Sequence, residues 1–357
     1  MIKQKIILLM PSMKIGGGNR ALLSLANKFS KSGHSCSIYF IDINERSFPI
    51  PKNVFTKSIR IYNPNLLNRL LAMLRLSILL NREDKGNILI VSDPILCIFK
   101  FIFRHLKVIR FVQGDDKRLF DENVKANYIV KKIYRLLFKI SQLYRYENIF
   151  FNSKFSRRVY CQNFKFLNEE KFEVIHPPLF DHQLKVQNRE PSYSFVSVTS
   201  NQSRKGLDLL IEIAKSDFFS DYSFTAISQD DLILPKNIKL IKPKNDQEYF
   251  SILNKHSFFI STSTFEGFGL PPLEAMSLGL VVLAYKNEGI LTYCNDQNTF
   301  FYNLNSLENL RKSVDLLVTN NDKYNLYSKK SIDTSKDFLE SKYQDNFYNS
   351  IIGKGTN

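Results

Sequence analysis

Short apolar runs alternate with segments of helical periodicity along the whole chain. In the first half, residues 5–10, 36–41, 88–92, 107–112 and 148–152 read as buried strands. Between them, residues 19–32, 66–80, 124–146 and 154–161 repeat their apolar positions every three or four residues, which predicts amphipathic helices. The pattern breaks at Val174-Ile175-His176-Pro177-Pro178 and a polar stretch running to Ser192, read as a linker. It then resumes, with strands expected at 193–198, 223–227, 238–241, 257–261 and 280–285. Helices are expected at 206–216, 246–255, 271–278 and 306–319, and two more, 323–334 and 336–352, close the chain. Strands that alternate with helices predict an α/β fold with parallel sheets covered on both faces. The expectation is two doubly wound, Rossmann-like domains, residues 1–180 and 181–335, facing a cleft. In such folds ligands gather beyond the carboxyl ends of the strands, and a cleft between domains is the natural site.

Composition adds a charge asymmetry. The 357 residues carry a formal net charge of +16, and 44% of them are hydrophobic, enough for a large core. Residues 1–180 hold 31 Lys and Arg against 13 Asp and Glu, a net of +18, while the remainder holds 19 against 21, a net of −2. One basic half implies an anionic partner: nucleic acid, a membrane surface or a phosphorylated substrate. The four cysteines, Cys36, Cys97, Cys161 and Cys294, form no CxxC pair, so buried thiols in a reducing compartment are expected. Lys3 and Lys5 precede an apolar run as in a signal peptide, but the run stops at Pro11 and reads better as a first strand. No apolar stretch reaches the length of a membrane span. The expected location is the cytoplasm, in solution or on the inner face of a membrane.

Three motifs carry candidate chemistry. Gly16-Gly17-Gly18-Asn19-Arg20 lies after the first strand and opens a helix, where glycines admit a ligand to the backbone and the helix N-terminus favours anions. Its order is not that of a dinucleotide fingerprint, and a flexible turn is the plainer reading. Ser203-Arg204-Lys205-Gly206 sets two adjacent cations at a helix start, which suits a diphosphate. A basic surface loop has the same sequence. Glu266-Gly267-Phe268-Gly269-Leu270-Pro271-Pro272-Leu273-Glu274 combines Pro at a helix start with two glycines able to form an anion-binding nest. Capping accounts for Pro271 and Glu274 but leaves Glu266, beside two glycines at a strand's carboxyl end, unexplained.

The last motif resembles the E-x7-E segment of family 4 retaining glycosyltransferases, in the branch that builds bacterial cell-surface polysaccharides. The resemblance extends along nearly the whole chain, through the glycine loop, Phe151-Asn152-Ser153-Lys154-Phe155, the Val174–Pro178 segment and Arg204-Lys205-Gly206-Leu207. It implies the GT-B fold, with residues 1–180 plus a returning helix, 336–357, binding the acceptor, and 181–335 binding the nucleotide sugar. It further implies that Glu266 faces the donor sugar, that Glu274 holds the ribose, and that Lys205 with Arg204 neutralises the diphosphate leaving group. Backbone from Gly267 through Phe268 and Gly269 to Leu270 holds the donor's phosphate and sugar. Gly17 and Gly18 close on the diphosphate, while Gly16 and Asn19 shape the acceptor site.

Two departures accompany it. Where the family often has an Arg after the first strand of its second domain, this chain has Thr199 or Ser200. Where many members carry a His after the strand ending here at Val112, this chain reads Gln113-Gly114-Asp115-Asp116. Gln113 offers an amide to a sugar but cannot act as acid or base at neutral pH. Asp115 or Asp116 is a further sugar contact on this reading; a solvated loop is the plainer one. The implied reaction is metal-independent hexosyl transfer with retention, from UDP-sugar or GDP-sugar, without a cofactor. The acceptor is a saccharide, lipid-linked, in O-antigen, capsule or lipopolysaccharide synthesis.

The basic half fits that acceptor. Leu66, Leu67, Leu70, Leu71, Leu74 and Ile78 form an apolar stripe accompanied by Arg69, Arg75 and Arg82. Residues 130–146 mix Ile133, Leu136, Leu137 and Ile140 with Lys131, Lys132, Arg135, Lys139 and Arg145. Such helices suit an anionic lipid surface, and also an ordinary core helix with a charged outer face. The total of +18 favours the membrane surface. Three rival readings stand beside this one: a nucleic-acid-binding protein, a nucleotide-sugar epimerase on the same fold, and a non-catalytic relative. Against the first, the aromatics fall inside apolar runs rather than on a stacking platform, and no nucleic-acid module is present.

Overall fold

A computed structural model of the chain describes residues 3–14, 16–44, 49–63, 65–118, 128–142, 146–165, 168–180, 186, 190–302 and 307–352. It divides into two units, Met1–Pro177 with Ser341–Asn357, and Pro178–Glu340. The divisions fall at 177/178 and 340/341, where the sequence pattern placed them at 180/181 and 335/336.

In the first unit the apolar runs pair as a parallel sheet of seven strands, β1 (Lys5–Met10), β2 (Ser35–Asp42), β3 (Val54–Arg60), β4 (Ile88–Val91), β5 (Lys107–Val112), β6 (Asn148–Phe151) and β7 (Glu173–Val174). Their order is β3-β2-β1-β4-β5-β6-β7. β1 is apolar at every position after Lys5 because helices cover both faces. Ile6, Leu8 and Met10 pack with Leu22, Leu25 and Phe29 of α1 (Gly17–Lys31). Ile7 and Leu9 face the other way, with Ala72, Met73 and Leu76 of α2 (Leu66–Leu80). Helix α3 (Tyr128–Gln142) lies within the stretch predicted at 124–146, whose residues 124–127 and 143–145 are outside the described residues. Helix α4 (Lys154–Phe164) starts from a capping box in which Ser153 and Ser156 satisfy each other's backbone.

The second unit repeats the plan with six parallel strands, β8 (Ser194–Val198), β9 (Ser223–Ile227), β10 (Ile238–Ile241), β11 (Phe258–Ser261), β12 (Val281–Tyr285) and β13 (Thr299–Tyr302), in the order β10-β9-β8-β11-β12-β13. One face packs against α5 (Leu207–Lys215), the other against α6 (Asp246–Leu253) and α7 (Leu270–Ser277). Helices α8 (Leu307–Thr319) and α9 (Asn321–Ser335) complete the first of these layers through Leu310, Val314 and Tyr324. Leu179 and Leu339 bridge side by side where the chain enters and leaves this unit.

The last helix, α10 (Glu340–Ile352), belongs with the first unit from Ser341 onward. Its Phe347 is fully buried, with ring centroids 5.1 Å from Phe111 and 5.0 Å from Phe150. The predicted start at 336 falls instead on a separate 3-10 turn, Lys336–Phe338.

Strands β3, β7 and β13 were absent from the expectation. β3 is an edge strand whose central residues are exposed, so it has no apolar run to announce it. β7 has two residues, Glu173 and Val174, at the very start of the stretch read as linker. Cys36, Cys161 and Cys294 are buried free thiols; the side chain of Cys97 lies outside the described residues. Among the described residues no helix is long and apolar enough to cross a membrane.

Candidate active site

In each sheet the strand order reverses at one place, and that is where an open α/β sheet leaves room for a ligand at its carboxyl edge. In the second unit the reversal lies between β8 and β11. The loop after β8 carries Arg204 and Lys205, and the loop after β11 carries Glu266. The two loops are tied by one backbone bond and one from a side chain. Thr264 N–H donates to Arg204 O at 2.9 Å, and Thr262 Oγ1 donates to Lys205 O at 3.1 Å. Gly206 makes this approach possible. It is left-handed at φ 61, and a Cβ there would stand 2.0 Å from Thr262 O.

So clamped, the two cations converge on one carboxylate. Lys205 Nζ lies 2.6 Å from Glu266 Oε1, and Arg204 NH1 lies 3.2 Å from Oε2. Glu266 is 8% exposed. Burial alone disfavours its charge, but Lys205, Arg204 and a hydrogen bond from Ser263 outweigh that and hold its pKa below the ordinary carboxylate value. The result is an ionised acid and two cations at the carboxyl edge of a sheet, a set whose chemistry suits hydroxyls and anionic oxygens. Arg204 Nε is buried without a hydrogen-bond partner among the described residues.

Glu274 is 6% exposed, and its Oε2 accepts from Tyr249 Oη at 2.6 Å. Helix α7 starts at Leu270, so Glu274 lies one turn into it. Gly269 caps this helix at φ 86, and a Cβ there would meet Ile290 Cγ2 at 2.6 Å. Phe268 is a core side chain, packed on Tyr293 and Phe338, so only its backbone is available to a ligand. Gly267 and Leu270 are half-buried on either side of that Phe268–Gly269 turn.

In the first unit the reversal lies between β1 and β4. Gly16 precedes α1 in extended backbone, and Gly17 and Gly18 form its first turn. Gln113 lies against this turn: its Nε2 is 3.4 Å from Gly18 O, and a Cβ on Gly18 would stand 2.5 Å from its Oε1. Asn19 spends its amide on the loop itself, donating to Ser12 O at 3.0 Å and Lys14 O at 2.8 Å. Asp115 accepts from the N–H groups of Lys117 and Arg118, each at 3.1 Å, as a cap does. Asp116 pairs at 2.7 Å with the fully buried Arg110. Burial raises the Asp116 carboxyl to about 6 against that cation's pull.

The structure therefore joins Glu266, Lys205 and Arg204 in one cluster, pairs Glu274 with Tyr249, and sets Gly18 against Gln113. Thr199, which stands where a cation was sought, is buried, with its Oγ1 3.5 Å from Lys205 O. It supports the cation's backbone and supplies no charge. Tyr249, Thr262 and Gly289 were not anticipated. Gly289 has an ordinary helical φ of −64, yet a Cβ there would stand 2.2 Å from Glu266 O. The Asn287-Glu288-Gly289 turn was a visible signal; the contact it makes was not. Among the described residues no group of three or more His, Cys, Asp or Glu is placed to hold a metal ion.

Comparison with known proteins bears on this arrangement. Residues 181–334 match the family described as Glycosyl transferases group 1. An uncharacterized glycosyltransferase of Haemophilus influenzae is 23% identical over 344 residues, spanning 90% of this chain and 92% of that protein. The alpha-1,3/1,6-mannosyltransferase ALG2 of Saccharomyces cerevisiae is 23% identical over 364 residues, spanning 81% of this chain and 71% of that one. Among solved structures, Anabaena HepE in complex with UDP and glucose superposes with a TM-score of 0.74 at 15% identity, covering 98% of this chain and 99% of that one. WaaG, a glycosyltransferase involved in lipopolysaccharide biosynthesis, gives 0.74 at 14% identity, covering 98% and 100%. At such identities the superpositions speak to fold alone, and the family match speaks to the second unit. The chain has the GT-B fold, and its residues 181–334 match glycosyl transferases group 1, which supports glycosyltransferase activity.

Proposed function

We propose that this chain is a retaining hexosyltransferase that moves a sugar from a nucleoside diphosphate sugar to a saccharide acceptor on a lipid, in the synthesis of a surface glycan. The observation that carries it is the convergence of Lys205 and Arg204 on Glu266 at the reversal point of the second sheet. The second unit takes the donor and the first takes the acceptor. In the reaction the bond from the anomeric carbon to the diphosphate oxygen breaks and a bond to the acceptor oxygen forms on the same face. The acceptor proton leaves to the departing phosphate. Negative charge grows on that phosphate, and Lys205 and Arg204, already fixed in place, stabilise it without a metal. Glu266 receives hydroxyls of the donor sugar, and Glu274 receives the ribose. A hexosyl donor is supported by HepE, bound to UDP and glucose, and by the mannosyltransferase relatives.

Peripheral binding to the inner face of an anionic membrane belongs to the same reading. It is supported by the outer side of α2, where Leu67, Leu71 and Ile78 are 65%, 45% and 46% exposed beside the exposed Arg69 and Arg75. On α3, Ile133 and Leu136 are exposed with Lys132, Arg135 and Lys139. A basic helix with outward leucines binds anionic lipid through both terms.

The test is nucleotide release from UDP-glucose and from GDP-mannose, with vesicles of bacterial lipid extract supplying acceptor. Release that depends on Glu266, with a product keeping the donor's anomeric configuration by NMR, is expected. Undiminished release by a Glu266→Ala variant rejects the mechanism, and an inverted product rejects retention.

A further inference from the structure

The carboxyl edge of the first sheet carries a polar chain that the transfer step does not explain. Its centre is Asn152, which follows β6 and is 4% exposed. Both ends of its amide are engaged: Nδ2 donates to Gln113 O at 2.8 Å, and Oδ1 accepts from Ser156 Oγ at 2.6 Å. Its own carbonyl accepts from His176 Nδ1 at 3.1 Å. The segments after β5, β6 and β7 thus meet on one residue. The pairing of Val112 with Phe151 in the sheet brings Gln113 and Asn152 side by side. Gln113 in turn rests on the glycine loop, with its Nε2 3.4 Å from Gly18 O and no room for a Cβ on Gly18. Serving Gln113 and Ser156 together takes a donor and an acceptor on one short planar group, which is what an Asn side chain provides. Asp has the same shape and lacks the donor.

We propose that Asn152 is a positioning residue: by holding the main chain of Gln113 it sets the Gln113 amide against Gly18 and so fixes the first turn of α1. The proposal rests on the reading that this edge receives a saccharide only for its functional consequence; the coupling itself is read without substrate.

The experiment is hydrogen exchange of the full chain by mass spectrometry, following peptides that cover the first turn of α1. Asn152→Asp is expected to speed exchange there about tenfold, as does Gln113→Ala, by opening the turn locally. Because one residue acts through the other, the double variant is expected to exchange no faster than Gln113→Ala alone. Wild-type exchange in Asn152→Asp, or additive effects in the double variant, overturns the proposal. If Asn152→Asp fails to fold, Asn152→Ser carries the same comparison. In parallel, transfer from UDP-glucose should fall about tenfold in kcat/KM with UDP affinity unchanged, the cost of a loosely held contact. A wild type that transfers nothing removes the proposed function, while the exchange comparison still decides the role of Asn152.

Discussion

Glu266 shows what a buried carboxylate needs in order to stay charged. Two cations within hydrogen-bond reach replace the water it has lost. Because its pKa is lowered on folding, its contribution to stability is complete above the unfolded value of about 4.3 and fades as pH falls through the folded value. The stability gap between wild type and Glu266→Gln, measured by urea unfolding, should therefore be constant from neutral pH to about 5 and narrow below about 4.3. In the proposed mechanism Lys205→Ala removes a charge that stabilises the leaving group, and about a 100-fold to 1,000-fold loss of kcat is expected in the release assay. Glu274→Ala should weaken nucleotide binding about tenfold to 100-fold by calorimetry, the value of a hydrogen bond to a charged group. Unchanged affinity would remove Glu274 from the nucleotide site. Asp116 runs the other way from Glu266. With its carboxyl raised to about 6, wild type should lose stability relative to Asp116→Asn as pH rises from about 4 to about 6.

At the scale of elements, the site depends on two loops that approach more closely than side chains allow. Gly206 has no room for a Cβ because the loop after β8 lies on the backbone of Thr262. Gly206→Ala meets both a left-handed backbone, which costs about 1–2 kcal/mol, and that overlap. It should lower the melting temperature and separate Lys205 from Glu266, so that kcat falls with it. Gly289→Ala is a cleaner probe, since its backbone angle suits any residue and the overlap is with Glu266 alone, at its carbonyl O and C and its Cβ. Gly206 and Gly269 were legible as glycines at helix starts. Gly289 was not, because nothing in its local sequence reports which backbone it faces across the fold.

For the whole molecule, the first unit is completed by the end of the chain. Phe347 fills a hole between Phe111 and Phe150, and Phe347→Ala should destabilise that unit by about 3–5 kcal/mol. Thermal unfolding should then show an early transition that nucleotide does not shift, while nucleotide still stabilises the second unit; a single transition moved intact would contradict this. The charge asymmetry is also a whole-molecule property. Wild type should co-sediment with anionic vesicles at low salt, and Leu67→Asp with Leu71→Asp should release it while leaving nucleotide binding intact.

Much of this was legible in advance for a simple reason. A strand buried on both faces must be a continuous apolar run, and a helix laid on it must repeat its apolar positions, so ten strands of the two sheets announce themselves locally. The E-x7-E spacing and the paired cations were likewise visible, because each is contiguous in sequence. What only the tertiary structure decided is which groups meet. Edge strand β3 lacks a buried face, and β7 takes its partner from 23 positions earlier, Phe150 with Glu173 and Phe151 with Val174. Arg204 and Lys205 reach Glu266 across about sixty residues, and Phe347 reaches Phe111 across more than two hundred. Periodicity records how a residue is buried; it does not record against what. That choice belongs to the packing of the finished fold.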